Sequence, residues 1–224
     1  LVDNPLDILA LRLQHFNTFW MGRSLSIRDG VARVLHAWDE SMPGYGSILG
    51  MYSFGLEEAG EYARAEDFGR RAVEINGDDL WAIHAVAHVL EMQGRAADGR
   101  TWLSQDVHAW DDRNPFKGHV WWHTAMFAMA QGDFDSVLEI YDHGVASNPS
   151  DFYLDVQNAA SMLARLDLLG VDVGKRWESL ADIAEQRTGD HMIAFTEMHY
   201  MMALVHEGRL EAAQKLLDSL HAFA

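Results

Sequence analysis

Two pairs of histidines are the residues best placed to do chemistry. His84 and His88 stand four apart in LWAIHAVAHVLEMQG, and His119 and His123 stand four apart in GHVWWHTAMFAMAQG. Four positions make about one helical turn, so each pair sets two imidazoles on one side of a helix. Such a pair can ligate zinc or non-haem iron, and a carboxylate such as Glu91 or Glu197 completes the shell. The same helices also carry a strip suited to an organic ligand. Trp81, His84, His88 and Glu91 follow one another at i, i+3, i+7 and i+10, and His119, Trp122, Met126 and Met129 repeat the spacing. Trp81, Trp122 and Phe54 can stack a planar or cationic group, while His88 and Glu91 can orient it by hydrogen bonds. Plain core packing competes with both readings, because Trp, Met and His at helical spacing commonly fill helix contacts. Register weighs against the metal: His84 aligns with Trp122, and His123 is rotated off the strip. No HExxH motif is present.

These strips sit on a repeating frame. Gly22, Gly60, Gly94, Gly132, Gly170 and Gly208 each close a long apolar stretch, at spacings of 34 or 38 residues. A second helix-forming segment follows each glycine. Glycine suits such a turn because it tolerates positive φ at a helix C-terminus. Five residues after the glycine stands a small or apolar residue, namely Ile27, Ala65, Gly99, Val137 and Ala213. Lys175 breaks the rule in the fifth unit, where GVDVGKRW makes a longer connection. The expected fold is all-α, a tetratricopeptide-like α-solenoid of about six helical hairpins within a single domain, 1–224. The hairpins fall near 5–40, 44–76, 79–112, 116–148, 150–188 and 190–223, with breaks at MPGYG and DDRNPFKG.

In such a solenoid the first helices of successive hairpins line the concave face. Counting back from each glycine places Leu9, Arg12, Phe16 and Phe19 there, then Ser47, Gly50 and Phe54, then the two strips above. Gln157, Ala160, Ala164 and Asp167 follow, and Phe195, Met198, Met202 and Val205 come last. The expected site is the groove between the third and fourth hairpins, bordered by the small residues Gly50, Ala160 and Ala164. Its ligand residues are Phe54, Trp81, His84, His88, Glu91, His119, Trp122 and Met126.

Several stretches resemble the tetratricopeptide repeat protein 38 family. HAVAHVLEMQGR and VWWHTAMFAMAQGDFDSVLEIYD carry the resemblance most specifically, supported by DILALRLQHF, MPGYGSILGMYSFGLEEAGEYARAE, AASMLARLDLLGVDVGKRW and AFTEMHYMMAL. The resemblance implies the fold and places the chain in the C-terminal portion of the family's length. It transfers no catalytic residue; the activity suggested for some members is side-chain hydroxylation.

The 224 residues include 12 His, 8 Trp and no Cys, which excludes disulfides and thiolate chemistry. A net charge of −17 disfavours nucleic acid. No apolar run suggests a membrane span, and no leader pattern is evident, so the expected compartment is the cytoplasm. No GxSxG elbow or phosphate loop supports nucleophilic or nucleotide chemistry. Asp79 is an expected N-cap. The leading expectation is a binding module that holds a peptide, protein partner or small molecule in the groove, with no cofactor. The alternatives are a metal-dependent enzyme, with iron or zinc on His84, His88, His119 and His123, and an assembly subunit. Leu6, Leu9, Leu13, Phe16, Phe19 and Trp20 make the first hairpin unusually apolar, so a second copy or preceding repeats are expected to cover it.

Overall fold

The computed structural model describes residues 3–104, 115–147 and 150–224. Among the described residues there are twelve α-helices, one π-helical turn and no strand. The chain divides into two compact units, Leu1–Pro115 and Phe116–Ala224. The first contains α1 (Ile8–Trp20), α2 (Ser24–Leu35), α3 (Tyr45–Glu58), α4 (Tyr62–Ile75), α5 (Leu80–Met92) and α6 (Ala96–Leu103). The second contains α7 (Lys117–Ala130), α8 (Phe134–Ile140) with its π-helical extension Tyr141–Val145, α9 (Tyr153–Leu168), α10 (Arg176–Gln186), α11 (Ala194–His206) and α12 (Leu210–Phe223). These helices pair as the six expected hairpins. Of the expected break DDRNPFKG, Asp111, Asp112, Arg113 and Asn114 lie outside the described residues.

The turns follow from one backbone requirement. Gly22, Gly60, Gly94, Gly132, Gly170 and Gly208 all have φ between 64 and 79°. The next residue then donates its N–H to the carbonyl five positions back: Arg23 to Thr18 at 2.9 Å, Glu61 to Leu56 and Arg95 to Leu90 at 2.8 Å, and likewise at the other three turns. That bond satisfies a carbonyl which the helix end leaves without a partner. A Cβ at any of the six would meet nothing within 4 Å. The left-handed backbone alone therefore selects glycine.

In the first unit α3 is the central element, packed against α2, α4 and α5. Ile48, Leu49, Met51 and Leu56 are buried on it. Helix approach is very close at two glycines. A Cβ on Gly55 would lie 2.7 Å from the backbone N and Cα of Arg28, and one on Gly69 would lie 2.5 Å from Val86. Ile27, Ala65 and Gly99 are buried, as the repeat rule requires. Charged ties join successive hairpins: Arg28 with Glu61 at 2.8 Å and Arg95 with Glu66 at 2.6 Å.

The second unit is built around Val137, Tyr141, Leu163, Leu166, Trp177, Leu204 and Leu216. Its longer connection brings Val173 and Trp177 into the core in place of the missing small residue. Trp177 Nε1 donates to Asp167 at 2.8 Å, and Arg176 grips Asp142 through two nitrogens at 2.6 and 2.8 Å. No described helix is long and apolar enough to cross a membrane. Leu6, Leu9, Leu13 and Trp20 stand exposed at the first hairpin.

Candidate functional site

The third hairpin belongs to the first unit and the fourth to the second. In the first unit Asp79 caps α5, accepting from the N–H groups of Trp81 at 3.1 Å and Ala82 at 3.2 Å. The helix thus fixed carries Trp81 and His84 inward against Phe54 of α3. These three are 8, 3 and 1% exposed. Phe54 lies 4.6 Å from Trp81 and is stacked on His84 at 5.7 Å between ring centroids. His15 of α1 joins them, 5.7 Å from both Phe54 and Trp81. It is fully buried, and neither ring nitrogen has a hydrogen-bond partner among the described residues. Burial, with Arg12 as a lesser cause, pushes its pKa down to about 3.

The imidazole pair emerges from this aromatic cluster toward the end of α3. His88 meets His84 edge to face at 4.2 Å, and it is half-buried. His88 Nδ1 stands 3.4 Å from Glu57 Oε2. Glu57 is 6% exposed, and that oxygen accepts no hydrogen bond among the described residues. Glu58 beside it is half-buried and accepts from Ser24 Oγ at 3.4 Å. Burial and the neighbouring Glu57 charge raise the Glu58 carboxyl, against the opposing pull of His88 and Ser24. Glu91 is half-buried on α5.

In the second unit α7 carries the other strip. His119 is parallel-stacked on Trp122 at 5.6 Å and meets His123 edge to face at 4.8 Å. His119 Nδ1 is hydrogen-bonded with Asn158 Oδ1 at 2.9 Å, which fixes the ring plane against α9. Trp122 Nε1 donates to Ser161 Oγ at 2.9 Å, and the guanidinium of Arg165 lies over the indole at 5.4 Å. His123 and Met126 are buried, whereas His119, Trp122 and Met129 are half-buried. The strip of first-helix positions continues through α9, where Gln157 Nε2 donates to Thr196 Oγ1 of α11 at 2.7 Å. On α11, Phe195, Met198, Met202 and Val205 are open, at 42 to 55% exposure.

The sequence reading passed over two features. Glu57 and Glu58 face His88 from α3; their signal was a pair of acids in a helix's last turn, where the backbone disfavours negative charge. The other is His191, which has φ of 46°. Its Nδ1 meets Glu197 Oε1 and its Nε2 meets Ser219 Oγ, both at 2.6 Å. The Phe223 ring stacks on this imidazole at 4.9 Å. Both nitrogens are thus engaged in tying the turn before α11 to α12, which holds the left-handed backbone in place.

No family model matches the chain. Among solved structures it is similar to one described as the MamA RS-1 ArsTM double mutant, with a TM-score of 0.52 and 15% identity over 82% of this chain and 96% of that one. At that identity the likeness is one of fold, and the fold is a tetratricopeptide-like helical repeat.

Proposed function

We propose that the chain is a helical-repeat binding module that holds an extended segment of a partner protein along the first helices of the hairpins in its second unit. The observation that carries this reading is the face of α11. Phe195, Met198, Met202 and Val205 form one strip of large apolar side chains left in solvent. Ten residue steps span about 15 Å of helix, enough to engage several side chains of a docked peptide. The net charge of −17 favours a segment that mixes apolar with basic residues. Half-buried Trp122 and Met129 on α7 extend the same kind of surface, and methionines adapt readily to varied partners. Membership of the tetratricopeptide repeat protein 38 family is part of this reading, on the residues quoted above.

Panning a displayed peptide library on the full chain tests it. Apolar peptides bearing Lys or Arg should be enriched, and joint substitution of Met198→Glu and Met202→Glu should weaken them at least tenfold with helix content unchanged. No enrichment, or binding indifferent to that double substitution, refutes the reading. A dimer closed through the α11 strip would assign the strip to a second copy instead. A second reading, a metal-dependent enzyme such as a side-chain hydroxylase, is favoured by the 4.2 Å contact of His84 with His88. Iron- or zinc-dependent turnover lost in His84→Ala would decide for it.

A further inference from the structure

We propose that Glu57, Glu58 and His88 form a binding site for one divalent transition-metal ion of the zinc class. The site lies within the first unit and depends on neither the peptide reading nor any catalytic role.

Electrostatics supplies the first reason. Glu57 and Glu58 occupy the last turn of α3, which contains no basic residue. The carbonyl end of a helix carries partial negative charge and favours cations, so two carboxylates there compound an unfavourable field. A divalent ion reverses the sign of that arrangement, and two carboxylates neutralise it. Burial supplies the second. Glu57 Oε2 is enclosed, accepts no hydrogen bond among the described residues, and has His88 Nδ1 facing it at 3.4 Å. A buried carboxylate without donors requires a cation beside it.

Geometry supplies the third. Bonds of about 2.1 Å at a tetrahedral angle place two donor atoms about 3.4 Å apart. The separation of Glu57 Oε2 and His88 Nδ1 is 3.4 Å. One donor atom from each of Glu57, Glu58 and His88 lies within 4.8 Å of the others. Glu58 makes up the remaining distance: it is half-buried, and its contact with Ser24 is a long 3.4 Å. One imidazole with two carboxylates is a donor set that zinc and its neighbours accept, and water completes the shell.

The test uses the full chain, stripped with chelator and titrated with Zn²⁺ and Co²⁺ alone. One ion should bind per chain, and the cobalt form should show the visible absorption of a four- or five-coordinate centre. Glu57→Gln and His88→Gln should each weaken binding at least tenfold. Glu58→Gln, at the more open edge, should do so without disturbing the helices and serves as the variant least prone to misfold. His143→Ala, an exposed imidazole elsewhere, should change nothing, and neither should the paired α11 substitutions that test the peptide reading. Absence of stoichiometric binding overturns the proposal and leaves a simple Glu57–His88 contact. Binding that both Glu57→Gln and Glu58→Gln leave intact overturns it equally.

Discussion

Acidification from pH 7 to pH 5 should cost the first unit about 2 kcal/mol through His15 alone. The imidazole has a pKa of about 3 in the folded chain, against 6.5 when free. Its charged form is disfavoured by folding, so the unfolded chain binds the extra proton. Stability is complete above pH 6.5 and falls as the pH drops from there toward 3. At pH 5 the unfolded side chain is about 1.5 pH units below its own pKa, and each unit is worth about 1.4 kcal/mol. With a urea dependence of about 1–3 kcal/mol per molar, the unfolding midpoint should fall by about 1 M. His15→Leu, a swap of similar volume, removes this share of the loss. It also removes two nitrogens without a hydrogen-bond partner among the described residues, a gain of about 1–3 kcal/mol offset in part by lost ring contacts. His199, also held low by burial, acts in the same direction in the second unit and is common to both proteins. Urea titrations of the chain and its variant at the two pH values isolate the difference. Equal losses in both proteins, or an NMR titration that places His15 near 6.5, would refute the reasoning.

Gly55→Ala should destabilise by about 1–2 kcal/mol, because its Cβ strikes the Arg28 backbone and the overpacking outweighs a helix-propensity gain of about 1 kcal/mol; thermal unfolding checks the sign. Gly60→Ala should also cost about 1 kcal/mol, but from its φ of 79° with no steric clash, so Gly60→Asn should recover part of the loss. Asp79→Ala should cost about 1 kcal/mol by uncapping α5, visible as faster amide exchange at Trp81 and Ala82. Thr196→Val should cost about 1–3 kcal/mol by orphaning Gln157, and adding Gln157→Leu should restore much of it; additive losses in the double variant would contradict that pairing.

The hairpin frame was legible because its determinants are local. A helix that must turn back at one residue needs φ near +70°, and the six glycines announce that need in the sequence itself. The Asp79 cap and the anomaly at Lys175 are equally local. Depth of burial was not legible. Helical spacing gives the direction of a face but not what covers it, so strips written alike came out differently: Phe54, Trp81 and His84 are buried, while Phe195 and Met198 are open. His15 sits in an apolar run where its neighbours gave no sign of an enclosed, neutral imidazole. Glu57 and His88 are thirty-one positions apart, and their meeting depends on how α3 crosses α5, which no spacing within either helix encodes.

The reach of the ties between hairpins bears on how the chain can acquire its structure during synthesis. Arg28 and Glu61 are 33 positions apart, and Trp122 with Ser161 and Gln157 with Thr196 are 39 apart. A ribosome adding about 5–20 residues each second emits such a stretch in roughly 2–8 s. Helix-rich elements with local partners organise in microseconds to milliseconds. Within each unit a hairpin therefore has its immediate neighbour as a template long before the one after that exists. Folding can keep pace with translation one repeat at a time, and a nascent apolar face waits for its partner only seconds.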